Sequence, residues 1–224
     1  MNTATFRGKT FNILEGAVHK AYSLAIFSEG GEEHDFREKY WTVQPGEVVV
    51  DVGASYGAYT LTALAAGAAK VWAFEPEPSV LVDLQRNLDA NDWGRLRCSA
   101  FGAALWDVSG EQVHMGDWAP HWPAQTITGR YPTATLDELM LMPTLSETRL
   151  DWCKIDVEGA EAHVLRGAAE TLRRFKPTII LEVHTFLDAT LLDRCVALLK
   201  GYGYDGFEFV EREPCVMVIA KELK

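Results

Sequence analysis

The chain has 224 residues, 48% apolar and 24% charged, which excludes disordered, collagen-like and low-complexity classes and suffices for a core without disulfide staples. Lys and Arg number 21 against 32 Asp and Glu, a formal charge of −11. Such a balance repels phosphate backbones and anionic lipid and argues against nucleic-acid and membrane partners.

No apolar run approaches the roughly 20 residues of a membrane span. Residues Met1 to Lys9 place no apolar core behind their charges, so the expected location is cytoplasmic. Residues 1–43 precede the first sheet strand and read as helices or a cap segment. Val48 to Asp51 is a β-branched run introduced by the turn signal Gln44-Pro45-Gly46-Glu47, and it leads through Gly53 to Gly57 into an Ala/Leu-rich helix ending near Ala66. Lys70 to Glu75 reads as a second strand closed by Pro76 and Pro78, Ser79 to Ala90 as an amphipathic helix, and Leu96 to Ala100 as a third strand.

Residues 104–134 are rich in Trp, Gly, Pro and His and match neither period; Trp106, His114, Trp118, His121, Trp122 and Tyr131 suggest a mixture of acceptor wall and anchors to the core. Asp151 to Asp156 and Thr178 to Val183 are further strands around a helical segment, and Leu187 to Lys200 is a helix ended by Gly201. Gly206 to Val210 and Cys215 to Ala220 form an expected antiparallel pair. Alternating strands and helices, with apolar runs such as Thr178 to Leu181, imply a doubly wound α/β domain with a mostly parallel sheet. Cys98, Cys153, Cys195 and Cys215 form no CxxC pair and lie in or beside apolar segments, the pattern of buried reduced thiols.

Val49 to Tyr59 reads as strand, tight turn and helix start, and in open α/β sheets ligands bind where strands end. Its Asp-x-Gly-x-Ser-x-Gly spacing (Asp51, Gly53, Ser55, Gly57) is neither the dinucleotide fingerprint nor a phosphate-binding P-loop. Asp51 disfavours a phosphate and suits a ligand ammonium. Glu75, 24 positions on, suits a carboxylate holding ribose hydroxyls. A ligand with an amino-acid end, a nucleoside end and no phosphate satisfies both carboxylates, and S-adenosylmethionine is such a ligand.

A second signature, Lys154 to Glu161, closes a strand with carboxylates and opens a helix; Glu158 and Glu161 can be read as acidic residues complementing a helix dipole, but Asp156 at the strand end needs another reason. Four blocks in order, Val50 to Gly57, Phe74-Glu75-Pro76, Thr135 to Leu139 and Lys154 to Glu161, extended by Phe175 to His184, resemble the FkbM family of S-adenosylmethionine-dependent methyltransferases over roughly residues 45–220. That resemblance implies a Rossmann-like class I methyltransferase fold, a seven-stranded sheet with a C-terminal antiparallel hairpin; with the segment that precedes the first sheet strand, the expected division is a cap over 1–43 and a catalytic domain over 44–224. It also implies methylation of a small molecule, often a hydroxyl. Ser55 stands where the family usually has Asn.

Asp51, Gly53, Ser55, Gly57 and Glu75 are the expected cofactor residues, and Asp156, Glu182 and His184 the expected catalytic ones. Glu182 and His184 are two apart on one strand, so their side chains share a side. A histidine suits a base near neutral pH, and a hydrogen-bonded structural histidine has equal weight. Asp156, Glu182 and His184 could instead hold a divalent ion, but oxygen ligands with one imidazole suit magnesium or manganese poorly to moderately, and no metal is assigned.

The leading expectation is O-methylation of a small acceptor in secondary-metabolite or glycan biosynthesis, without nucleic-acid or membrane partners and compatible with a homodimer. The same pocket could transfer or cyclise the aminocarboxypropyl arm and release methylthioadenosine, and a non-catalytic binding subunit is the third reading.

Overall fold

Period-two alternation builds the first elements of the computed structural model. Within it, residues 2–16, 24–114, 129–141 and 148–223 are described. Ala4 and Phe6 on β1 (Asn2–Phe6), with Phe11 and Ile13 on β2 (Lys9–Ile13), are buried on one face of an antiparallel hairpin. Arg7 and Gly8 turn the chain, both at positive φ, as a two-residue hairpin loop requires. The described part of residues 1–43, expected as helices or a cap, thus contains an antiparallel hairpin besides the helix Glu32–Tyr40.

The chain divides into two compact units, residues 1–102 and 103–224. The first also holds β3 (Val48–Val52), β4 (Lys70–Phe74) and β5 (Cys98–Phe101), which pair in parallel. Helices Ala58–Ala66 and Pro78–Asp89 follow β3 and β4. Every side chain of β3 is buried, the mark of a strand covered on both faces. The third strand begins at Cys98 rather than Leu96, because Gly94–Arg97 forms a helical turn whose Arg97 donates to the carbonyls of Ala68 and Leu64.

The second unit contains β6 (Ala104–Leu105), β7 (Gln112–His114) and β8 (Arg130–Ala134), which make a small sheet in the order β6-β8-β7. It continues with β9 (Trp152–Ile155), β10 (Thr178–Val183), β11 (Gly206–Arg212) and β12 (Cys215–Lys221). The last helix starts at Leu191, after a turn in which Asp188 accepts from the backbone and hydroxyl of Thr190. The large sheet has seven strands in the order β11-β12-β10-β9-β3-β4-β5. β12 pairs antiparallel with both β10 and β11, while β10 with β9, β3 with β4 and β4 with β5 pair in parallel. The fold is thus the doubly wound α/β sheet with a terminal antiparallel hairpin that the sequence indicated.

Asn87, buried on the helix Pro78–Asp89, ties the first unit together. Its Oδ1 accepts from the backbone of Leu14 at 2.7 Å, and its Nδ2 donates to the Tyr56 carbonyl at 2.9 Å. Asn91, one turn on, accepts from the Asn12 backbone and donates to its carbonyl. Replacing Asn87 by Ala removes the partners of a backbone donor and a backbone acceptor, at about 1–3 kcal/mol for each group left buried and unsatisfied. Urea denaturation of Asn87→Ala is expected to show that loss; wild-type stability would refute the clamp.

Candidate active site

In the first unit, the carboxyl end of β3 turns over that of β4. The N–H groups of Gly53 and Ala54 both donate to the Phe74 carbonyl at 2.9 Å, and the Gly57 N–H closes the turn on Ala54 at 2.8 Å. The path needs left-handed backbone at Gly53 (φ 72°), Ser55 (φ 49°) and Gly57 (φ 94°). At Gly57 a Cβ would also lie 2.7 Å from Leu84 Cδ1, so glycine brings the helix start close to its neighbour.

Glu75 follows β4 and is 6% exposed. Its Oε2 accepts from the Ser55 N–H and its Oε1 from the Glu77 N–H, both at 2.9 Å. Two backbone donors thus hold this carboxylate beside the glycine turn, where a ligand hydroxyl can reach a preorganised acceptor. Asp51 is fully buried and accepts from the Thr60 hydroxyl at 2.6 Å, joining β3 to the following helix. The five expected cofactor residues therefore share one strand-turn-helix and the end of the adjacent strand. Asp51 supports the turn from beneath.

The second unit gathers the other three expected residues. Register explains it: one step beyond the parallel pair Ile155↔Leu181 stand Asp156 and Glu182. One step beyond the antiparallel pair Val183↔Val216 stand His184 and Cys215. Ligand atoms of Glu182, His184 and Cys215 lie within 4.8 Å of one another, as do those of Asp156, Glu158 and His184. Glu158, Glu161 and Cys215 were not assigned from the sequence. Acidic residues at a helix start have an ordinary explanation, and Cys215 reaches the cluster only through sheet register.

His184 is 4% exposed and engaged on both ring nitrogens. Nδ1 donates to Glu161 Oε1 at 2.6 Å, Nε2 stands 3.0 Å from Glu158 Oε2 and 3.9 Å from Asp156 Oδ1. Burial pushes the imidazole pKa down, but the hydrogen bonds to Glu158 and Glu161 and the charges of Asp156 and Glu158 outweigh it and hold it at about 11. At neutral pH this ring is a two-sided hydrogen-bond donor among carboxylates. Asp156 also faces Lys154, with Nζ 3.4 Å from Oδ2. Glu158 sits at φ 56°, a strained conformation for a non-glycine residue, and precedes Gly159 at φ 108°.

All four cysteines are free and buried, as expected of inert thiols, and burial pushes those of Cys98, Cys195 and Cys215 up to about 12. In the Thr135 to Leu139 block, Asp137 accepts from the backbone of Glu170 and Thr171 and so caps the helix Ala169–Phe175. That part of the resemblance reflects architecture. Trp106 stacks on His163 at 3.9 Å and Tyr131 is buried, so both serve as anchors within the second unit. Trp118, His121 and Trp122 lie outside the described residues.

The family model "Methyltransferase FkbM domain" matches residues 51–205. Among curated proteins, the AMB antimetabolite synthetase AmbE of Pseudomonas aeruginosa is 27% identical over 217 residues. The match takes in 77% of this chain and 10% of the synthetase, so the chain spans about a tenth of that relative's length. Among solved structures, a methyltransferase FkbM from Methylobacillus flagellatus aligns with a TM-score of 0.58 at 19% identity, over 78% of this chain and 43% of its own. A precorrin-6y C5,15-methyltransferase from Geobacter metallireducens follows at 0.53 and 17%, over 87% and 92%. A T. thermophilus 16S rRNA N2 G1207 methyltransferase in complex with AdoMet and guanosine aligns at 0.52 and 20%, over 99% and 50%. At these identities the structural likeness establishes the fold.

Ser55 takes up the left-handed region, which Asn tolerates better than other non-glycine residues. Ser55→Asn is expected to match or exceed wild-type stability by up to about 1 kcal/mol, whereas β-branched Ser55→Val should cost roughly 1–3 kcal/mol. Equal urea midpoints for the two variants would refute the argument.

Proposed function

We propose that this chain, which belongs to the family of FkbM methyltransferase domains, is an S-adenosylmethionine-dependent methyltransferase that methylates a hydroxyl of a small molecule. The observation that carries the cofactor assignment is Glu75, a nearly buried carboxylate held by two backbone N–H groups beside a glycine turn. Its chemistry fits the nucleoside end of the cofactor. The turn from Gly53 to Gly57 contains no cationic side chain to balance a phosphate, which agrees with a phosphate-free ligand.

When bound, S-adenosylmethionine supplies a methyl group activated by its positive sulfur. The protein's part is to bind, align and exclude water. Glu75 binds the ribose hydroxyls, Gly53, Ser55 and Gly57 let the backbone approach the ligand, and Asp51 fixes their turn through Thr60. On the acceptor side we assign Asp156, Glu182 and His184. The carboxylates orient the acceptor's hydroxyl, and His184, clasped by Glu158 and Glu161, holds the strand end rigid around them.

A small acceptor is supported by the similarity to a segment of an antimetabolite synthetase and by the acidic charge, which disfavours a phosphate-rich polymer. We place the enzyme in the cytoplasm; no described helix is long and apolar enough to cross a membrane. Residues 1–43 are proposed as a cap on a catalytic domain over 44–224, and a homodimer is the assembly to test.

Glu75→Gln keeps the shape of the side chain and removes its charge. Its affinity for S-adenosylhomocysteine should fall by about 1–3 kcal/mol, roughly ten- to a hundredfold. Calorimetry showing unchanged affinity would reject the cofactor site. Incubation of the wild-type chain with S-adenosylmethionine and a panel of hydroxylated acceptors should release S-adenosylhomocysteine. Methylthioadenosine in its place would assign the chemistry to the aminocarboxypropyl arm, and turnover on RNA alone would replace the small acceptor.

A further inference from the structure

We propose that Asp156, Glu158 and His184 form a binding site for one divalent first-row transition-metal ion, with Glu182 and Cys215 at its border. The three groups present one oxygen, one oxygen and one imidazole nitrogen, all within 4.8 Å of one another. A small inward closure brings such atoms to the roughly 2.0–2.2 Å at which first-row ions bind oxygen and nitrogen. All of these groups lie in the second unit. They come from the ends of neighbouring strands, whose registers are set by the sheet.

Two observations separate this cluster from an ordinary acidic patch. The first is the orientation of the imidazole. Nδ1 is bound by Glu161 Oε1 at 2.6 Å, which directs Nε2 at Glu158 and Asp156. A carboxylate on the far nitrogen is how proteins orient metal-ligating histidines and raise their basicity. The second is Glu161 itself. It is fully buried, its Oε1 takes both the imidazole and the Gly159 N–H, and its other oxygen, Oε2, has no hydrogen-bond partner among the described residues. A carboxylate buried in that way is stabilised by positive charge carried on the ring it holds.

Lys154 meets Oδ2 of Asp156, while Oδ1 faces the imidazole, so the lysine and the ion would occupy different sides of that carboxylate. Two carboxylates and an imidazole suit manganese or zinc better than the all-oxygen shell magnesium prefers. The role of the ion rests on the methyl-transfer reading: at this site it would take a hydroxyl oxygen of the acceptor, fixing its position and increasing its acidity.

Calorimetric titration of the full chain, stripped with a chelator and then dialysed, with manganese chloride alone tests the site. Saturable binding of one ion per chain is expected, with zinc tighter and magnesium weaker. Glu158→Gln and Asp156→Asn, at half-exposed positions where the shape is kept, should each weaken manganese binding by roughly ten- to a hundredfold. Their thermal unfolding is recorded beside the titration to show that both fold. Glu170→Gln, an exposed carboxylate paired with Arg173, should bind as wild type does. Absence of saturable heat would overturn the site, as would equal affinities of Glu158→Gln and Glu170→Gln or magnesium binding as tightly as manganese. Release of S-adenosylhomocysteine is assayed separately. Manganese binding without any turnover would count against the methyl-transfer reading alone, and metal-independent turnover without manganese binding would overturn the ion site alone.

Discussion

The Phe74 carbonyl, accepting from Gly53 and Ala54 together, is the contact on which the first unit's ligand-binding end depends. A parallel strand ends with backbone groups that its neighbour no longer pairs, and buried backbone groups of that kind must find partners. Here the chain leaving β3 bends across the end of β4 to provide them. Such a bend requires left-handed backbone at Gly53, Ser55 and Gly57, and it carries the Ser55 N–H to the Glu75 carboxylate. Satisfying the sheet end and organising a binding carboxylate are one event. Asp51 beneath the turn and Asn87 beside it keep the geometry in place, through Thr60 and the Tyr56 carbonyl.

The second unit solves the same problem with charge. Where the pairing of β9 with β10 stops, Asp156 and Glu182 emerge side by side, and His184 stands opposite Cys215 one step beyond the last β10–β12 pair. Three carboxylates, those of Asp156, Glu158 and Glu161, then surround one imidazole. The imidazole loses solvation by burial and gains more from its neighbours, so it remains charged well above neutral pH. Left-handed Glu158 makes this ring of carboxylates close, because an ordinary helical or extended residue there would turn the chain along another path.

The elements most legible in the sequence were those with a strong local pattern. Thr178–Val183 appeared with its observed ends, and the strands around Val48 and Lys70 and the terminal hairpin were placed within a residue or two. Errors arose where a side chain distant in sequence decided the outcome. Leu96 looked like the start of a strand because it precedes an apolar run, yet Arg97 ties that turn to the carbonyls of Leu64 and Ala68. The N-terminal hairpin is the opposite case: its alternation and its Arg-Gly turn are local signals carried by the sequence itself. Asp137 shows a further limit, since a residue in a recognisable motif proved to cap a helix more than thirty positions away.

By itself the sequence determined the α/β class, the two glycine-bearing signatures, the four inert thiols and the positions of Asp51, Glu75, Asp156, Glu182 and His184 at strand ends. These properties follow from local periodicity and residue chemistry, which depend on neighbours a few positions away. Only the tertiary structure decided that Glu161 and Glu158 clasp His184, that Cys215 belongs beside it, and that Asp51 is held beneath the turn by Thr60. Those relations depend on strand register and on burial. Register pairs residues separated by tens of positions, and burial decides whether a carboxylate meets water or another side chain.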